Sequence, residues 1–491
     1  MKLRLTSILL LLLCPFFVYE SAIFANYGFR DDYSLTREAH EEPGKILAFT
    51  ASHARPLYGV VLEPGYKLVR SIDDLAWLRL LSAALIAGFG VALYRQLRRN
   101  GLEDLEATAI SLIVMCLPAS QVTVSWAVGW PWGFSLIFTV LGFGLCNTAW
   151  KQMGFSRAWR IAIAIVLYMS STLIYQSNTL FVVALLASVL LLTTEKNIEN
   201  ISKNKKEQFV IFHLAILFSA LIFGYIFLKL LFIEGVFHAS GRLQFEADPI
   251  SKLSWFLSQP LPNSIAFLTL RDDFGTGAVH FWLMLFVVMA LITLAAYKNF
   301  RNRNTFNWLL CILVLPWIAH SISLIAAERA SGYRTMFALS GLAVVLLIAA
   351  VREVTSGSLR AIIITSIIVA SFIQAYRQSY HLIAEPQAHE WKMVKNAVAK
   401  MQPGVATCIY LIEPKPVDRS TDRVYRDEFG SFSSNSSWAP DEMFKQAMHQ
   451  RFNRGIPANW HYCFYHGSNP PPSSDHYDQV VDMRKLKQWR K

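Results

Sequence analysis

Phe29-Arg30-Asp31-Asp32-Tyr33 follows closely on the apolar run from Leu5 to Phe24. An apolar run of that length reads as a first membrane helix, and the two carboxylates then sit just beyond it at a bilayer surface. Acids in such a place are either solvated loop residues or the working groups of an enzyme whose substrate arrives through the lipid. The rest of the chain bears on that choice.

Of the 491 residues, 54% are hydrophobic and only 16% charged, and the mean hydropathy is positive. That balance excludes an ordinary soluble protein of this length. Apolar runs recur near 5–24, 75–94, 105–124, 131–149, 160–175, 178–194, 209–233, 280–297, 307–326, 335–351 and 360–376. The expected fold is therefore a polytopic α-helical membrane protein with about eleven transmembrane helices. Basic residues fall in alternate connections: Lys2 with Arg4, Arg95 to Arg99, Lys151 to Arg160, Lys196 to Lys206, Lys298 to Arg303 and Arg352 to Arg360. Such loops favour the cytoplasm. The N-terminus is then cytoplasmic, and residues 25–74, 234–279 and 377–491 lie outside. The expected division is a transmembrane domain over 1–376 and an extracytoplasmic C-terminal domain over 377–491. The net charge of +12 is partly this topology signal, so no nucleic-acid partner is inferred.

Lys2 and Arg4 before an apolar stretch also describe a secretory signal. The length of the stretch and the absence of a small-x-small site around Ser21–Ala25 favour a retained helix. Cys14, Cys116, Cys146 and Cys311 fall in apolar segments and read as small buried hydrophobes. Cys408 and Cys463 lie in the C-terminal segment and either form a disulfide or stand as two thiols. In that segment 406–412 reads as a strand and 439–451 as a helix opened by proline and acids, hence a small α+β domain.

No phosphate-binding glycine loop, dinucleotide fingerprint or Cys/His metal spacing occurs. A carboxylate partly desolvated at a membrane surface can serve as general base toward a sugar hydroxyl. If the donor is a sugar on a polyprenyl phosphate, the leaving group needs cations rather than an acid. Arg30, Arg55, Arg271, Arg329 and Arg334 all fall on the expected outer side. Arg271-Asp272-Asp273-Phe274 echoes the first acid motif. Trp126, Trp130 and Trp132 read as an interfacial belt or as walls for a sugar or prenyl group.

A long outer loop with an acid pair after the first helix, many further spans and an outer C-terminal domain resembles the GT-C class of integral-membrane glycosyltransferases. Phe29–Tyr33, Ser52-His53-Ala54-Arg55-Pro56-Leu57-Tyr58-Gly59 and Tyr175-Gln176 carry the likeness; the latter two are similar to segments of bacterial glucosyltransferase-like membrane proteins. The resemblance implies sugar transfer from a polyprenyl-phosphate donor to a cell-envelope glycan or lipid acceptor. It places that reaction on the outer face of the bacterial cytoplasmic membrane, usually with inversion and often without a metal. The catalytic acid then falls on Asp32 or Asp31, with a slight preference for Asp32. Arg30, His53, Arg55, Arg271, Asp272, Asp273, Arg329 and Arg334 are the candidate substrate-binding residues; no cofactor is called for, although a divalent ion would be compatible. The rival readings are a flippase for lipid-linked sugars, a polysaccharide polymerase and an envelope assembly factor.

Overall fold

A computed structural model describes residues 4–193, 203–241, 244–271, 279–300, 305–329, 332–402, 405, 407–414, 428–452, 462–471 and 476–484. Among these residues seven helices are long and apolar enough to cross a bilayer, and an eighth span arises if a bent pair, Asp104–Met115 with Pro118–Ser125, counts as one. The protein is a multi-pass membrane protein. The runs at 5–24, 178–194 and 307–326 form the shorter helices Leu5–Val18, Gln176–Leu192 and Thr305–Ala319, so the expected eleven do not all stand as full-length spans.

The breaks have local causes. Pro118 opens the second half of the bent pair, and the residue before it, Leu117, is extended at φ −56°, ψ 151°. Proline lacks the N–H that would continue the ladder and pushes its predecessor out of the helical region, which accounts for the 52° bend. The first run stops at Tyr19, whose hydroxyl donates to the Met115 carbonyl at 2.7 Å and pins the turn to the neighbouring helix.

Helix Tyr333–Val354 is the axis of the bundle: 89% of its apolar window is buried, against 17–67% in the other six spans. Its Gly341 lies where an added Cβ would approach Phe181 to 2.4 Å, so only glycine permits that contact. At one end of the bundle Glu106, fully buried, meets Arg352 at 3.2 Å. The last span continues as one helical run, Gly357–Lys400. At 1.5 Å per residue that is roughly 66 Å, about twice the hydrocarbon thickness, so its second half projects beyond the lipid.

The C-terminal segment forms a small parallel sheet, and the strand expected at 406–412 spans Thr407–Ile412. Strand β1 (Thr407–Ile412) lies between β2 (Tyr462–Gly467) and β3 (Gln479–Asp482). Helix Ala439–Phe452 crosses between β1 and β2. The register sets Cys408 opposite Cys463, with Cα atoms 4.5 Å apart, and the two form a disulfide. The other four cysteines are buried.

One apolar cluster joins this segment to the end of the bundle where the acid pair lies, running through Tyr27, Phe29, Tyr33, Trp126, Tyr333, Trp391, Phe429 and Met443. Arg37 pairs with Glu442 at 2.6 Å across the same contact.

Candidate active site

The acid pair sits on a tight turn that opens helix Asp32–Glu41. Asp32 reaches back to accept the Phe29 N–H at 2.9 Å, as the acid of a capping box does. Its other oxygen accepts the Tyr66 hydroxyl at 2.5 Å. Asp32 is fully buried, whereas Asp31 is half-buried. Burial pushes the Asp32 carboxyl up to about 6, against the downward pull of the Tyr66 and Phe29 hydrogen bonds and the nearby Arg79 charge.

That shift fixes a pH dependence. An unfolded aspartate loses its proton near 3.8 and the native one near 6. Between those values the folded state binds more protons, so the contribution is full below the lower value and is lost as pH rises through the upper one. Thermal midpoints between about pH 4 and about pH 7 should fall more steeply for the wild type than for Asp32→Asn, which carries no such proton. Parallel profiles for the two proteins would refute the assignment.

Sequence reading passed over Arg79. It is fully buried and donates to the carbonyls of Ile23 (3.2 Å), Ala25 (2.8 Å) and Tyr27 (3.0 Å), while lying 4.0 Å over the Tyr27 ring. These carbonyls belong to the chain leaving the first helix, so Arg79 holds the approach to the acid turn.

Two non-glycine residues among those described have positive φ: Arg30 at 48° and Ala54 at 62°. Side chains rarely adopt that region, and such strain tends to collect at functional sites. Each directly precedes a candidate residue, Asp31 and Arg55. Arg30 is held by Ser433 through its backbone N–H (2.9 Å) and by Ser431 through its guanidinium (3.0 Å). Ala54 is held through its carbonyl, which accepts the Gln176 amide at 3.0 Å.

Pro56 then starts helix Pro56–Lys67, with Arg55 at its cap. The Arg55 guanidinium lies 5.3 Å over the Tyr175 ring. Its Nε is buried without a hydrogen-bond partner among the described residues. Burial raises the Tyr58 phenol well above its usual range, and the Arg55, Asp31 and Asp32 charges act on it as well. The motifs at 52–59 and 175–176 therefore meet, and Phe29 of the first motif is linked to Tyr175 through Trp126 and Trp132.

Aromatic side chains wall this place. Tyr175 stacks on Trp132 at 4.7 Å; Trp132 lies 6.3 Å from Trp126, and Trp126 5.0 Å from Phe29. The interfacial-belt reading of the tryptophans is corrected here. Trp126, Trp130 and Trp132 are 4%, 7% and 3% exposed and face protein, not lipid. Their indole N–H groups have no partner among the described residues.

Arg334 lies 5.0 Å over Trp126 and pairs at 3.0 Å with Glu428, a buried acid that sequence reading did not single out. His53 turns to the Phe49 carbonyl at 2.8 Å. Arg271 and Arg329 lie to the side. The backbone N–H of Arg271 donates to Tyr333 at 2.9 Å, and its guanidinium donates to the Ser258 carbonyl. Arg329 is 3.5 Å from Glu246. Asp272 and Asp273 lie outside the described residues. No group of three or more metal-ligating side chains is gathered among the described residues.

An acid, a cation and an aromatic wall thus lie toward one end of a multi-pass helical membrane protein. The chain belongs to the glucosyl transferase GtrII family, whose model matches residues 61–373. It is thus a membrane glucosyltransferase by family. The match begins after residue 32, so the acid pair rests on its own geometry. No curated protein matches the chain.

Proposed function

We propose that the protein moves a glucosyl group from a polyprenyl-phosphate donor to a cell-envelope glycan or lipid acceptor. The reaction is placed on the outer face of the bacterial cytoplasmic membrane, with the N-terminus cytoplasmic, and the fold is taken as GT-C-like. Residues 1–376 form the catalytic membrane domain, and 377–491 form an extracytoplasmic domain that buttresses the acid turn.

The observation that carries this reading is Arg55 seated over the Trp132–Tyr175 stack at one strained turn, with Asp31 on the other and Phe29 joining the two through Trp126. Both Asp32 oxygens are engaged and the side chain is sealed from solvent. This favours Asp31 as general base and Asp32 as the residue that positions it. Asp31 takes the acceptor hydroxyl proton as that oxygen bonds to the anomeric carbon. The bond from that carbon to the phosphate oxygen breaks, its electron pair leaves with the phosphate, and the anomeric centre inverts. Arg55 meets the departing phosphate, for which an arginine fork is well shaped. Trp126 and Trp132 supply the aromatic wall and indole N–H groups that are unpartnered among the described residues.

The test is transfer from a panel of polyprenyl-phosphate sugars by the purified full chain. Turnover of the glucose donor is expected, and Arg55→Gln should lower kcat by roughly a hundredfold. Folding should survive, because the Arg55 Nε gives up no hydrogen bond among the described residues. Movement of an intact lipid-linked sugar between leaflets without turnover would make the protein a flippase instead.

A further inference from the structure

Helix Leu75–Arg99 carries Arg79 near the acid turn and Arg95, Arg98 and Arg99 at its other end, about 24 Å further along at 1.5 Å per residue. There, against helices Trp132–Trp150 and Phe155–Ile174, it borders a cavity of about 1210 Å³. Arg95, Arg98, Arg99, Lys151 and Arg160 line it, and among the described residues no acid does. Arg98 shares its charge with Asp104 at 3.8 Å, and Arg160 donates to the neutral Gln152 amide oxygen at 2.7 Å. Arg95, Arg99 and Lys151 are exposed and make no ion pair among the described residues. Two further lining groups, the Asn100 Nδ2 and the Asn147 Oδ1, are buried without a hydrogen-bond partner among the described residues.

The remaining wall changes character, with Val140, Leu141 and Leu167 beside Gly88, whose missing side chain leaves room. A soluble anion would leave that apolar wall in water, and a neutral lipid would leave the cluster of like charges uncompensated. A phosphate bonded to a hydrocarbon chain satisfies both, and basic pockets between membrane helices hold such headgroups.

We propose that this cavity binds an anionic phospholipid, with its phosphate among Arg95, Lys151 and Arg160 and an acyl chain along Val140, Leu141 and Leu167. The test uses the full chain in detergent with phosphatidylglycerol, phosphatidylcholine or inorganic phosphate, and native mass spectrometry reads the lipid retained.

Phosphatidylglycerol should be retained over phosphatidylcholine. The double variant Arg95→Gln with Lys151→Gln, both exposed positions, should lower that retention about tenfold. Gly88→Ala should lower it too by narrowing the apolar wall; the added Cβ meets only Ile137 Cδ1, at 3.7 Å, so the fold is kept. Arg70→Gln, an exposed cation in the loop that carries the acid turn, should change nothing. Equal retention of the two lipids, equal retention by wild type and both cavity variants, or displacement of the lipid by inorganic phosphate alone would each overturn the proposal.

Discussion

Asp31→Asn should lower glucosyl transfer by about a hundred- to ten-thousand-fold, the range that removal of a general base covers. The carboxylate and the amide have the same shape, and the backbone of Asp31 makes its own contribution to the turn. Its carbonyl accepts the Leu35 N–H at 2.9 Å and the Ser34 hydroxyl at 3.2 Å whichever side chain is present. The loss should fall on kcat rather than KM, because the proton moves only as the new bond forms.

Asp32→Asn gives the contrast. An asparagine oxygen can still accept one of the two hydrogen bonds, but its NH2 must then face either the Phe29 N–H or the Tyr66 hydroxyl. The phenol can turn to accept; the backbone N–H cannot. Activity should fall through a loosened turn, with the acid limb of the pH–stability profile changed as well. Should Asp31→Asn turn over normally while Asp32→Asn is dead with an unchanged midpoint, the roles of the two acids are reversed.

Adjacent acids in a sequence carry no sign of which one faces inward. The distinction here arises because Arg30 takes a left-handed conformation and sends Asp32 back under Phe29, a contact set by Ser431 and Ser433 some four hundred residues away. No local pattern records such a partner. The apolar runs, by contrast, mark the places of the helices well, since burial in lipid or protein both demand continuous apolar sequence. They mark the breaks poorly, because Tyr19 ends its helix through a tertiary hydrogen bond. Composition likewise could not separate a tryptophan belt from a tryptophan wall; packing by Phe29, Tyr175 and Arg334 made it a wall. Arg55 was legible as a candidate from its motif, but its place over Tyr175 needed the helix break at 175–176 to be folded against the 52–59 turn.

Arg79→Met should destabilise the protein by about 3–5 kcal/mol, the largest stability effect expected of any single substitution considered. Methionine fills much of the same volume but leaves the carbonyls of Ile23, Ala25 and Tyr27 without the guanidinium that serves all three. Buried carbonyls without a donor each carry a desolvation penalty, and a typical domain has only about 5–15 kcal/mol in reserve. Arg79→Lys should recover little, since one ammonium cannot span three carbonyls that a planar fork reaches together. The variant should also alter the neighbouring acid. Removing the Arg79 charge takes away one of the influences that hold the Asp32 carboxyl down, so the window over which stability falls with pH should move upward. Thermal unfolding of the two Arg79 variants across that window checks both effects. A midpoint for Arg79→Met equal to that of the wild type would mean that the first helix and the acid turn are held by their apolar contacts alone.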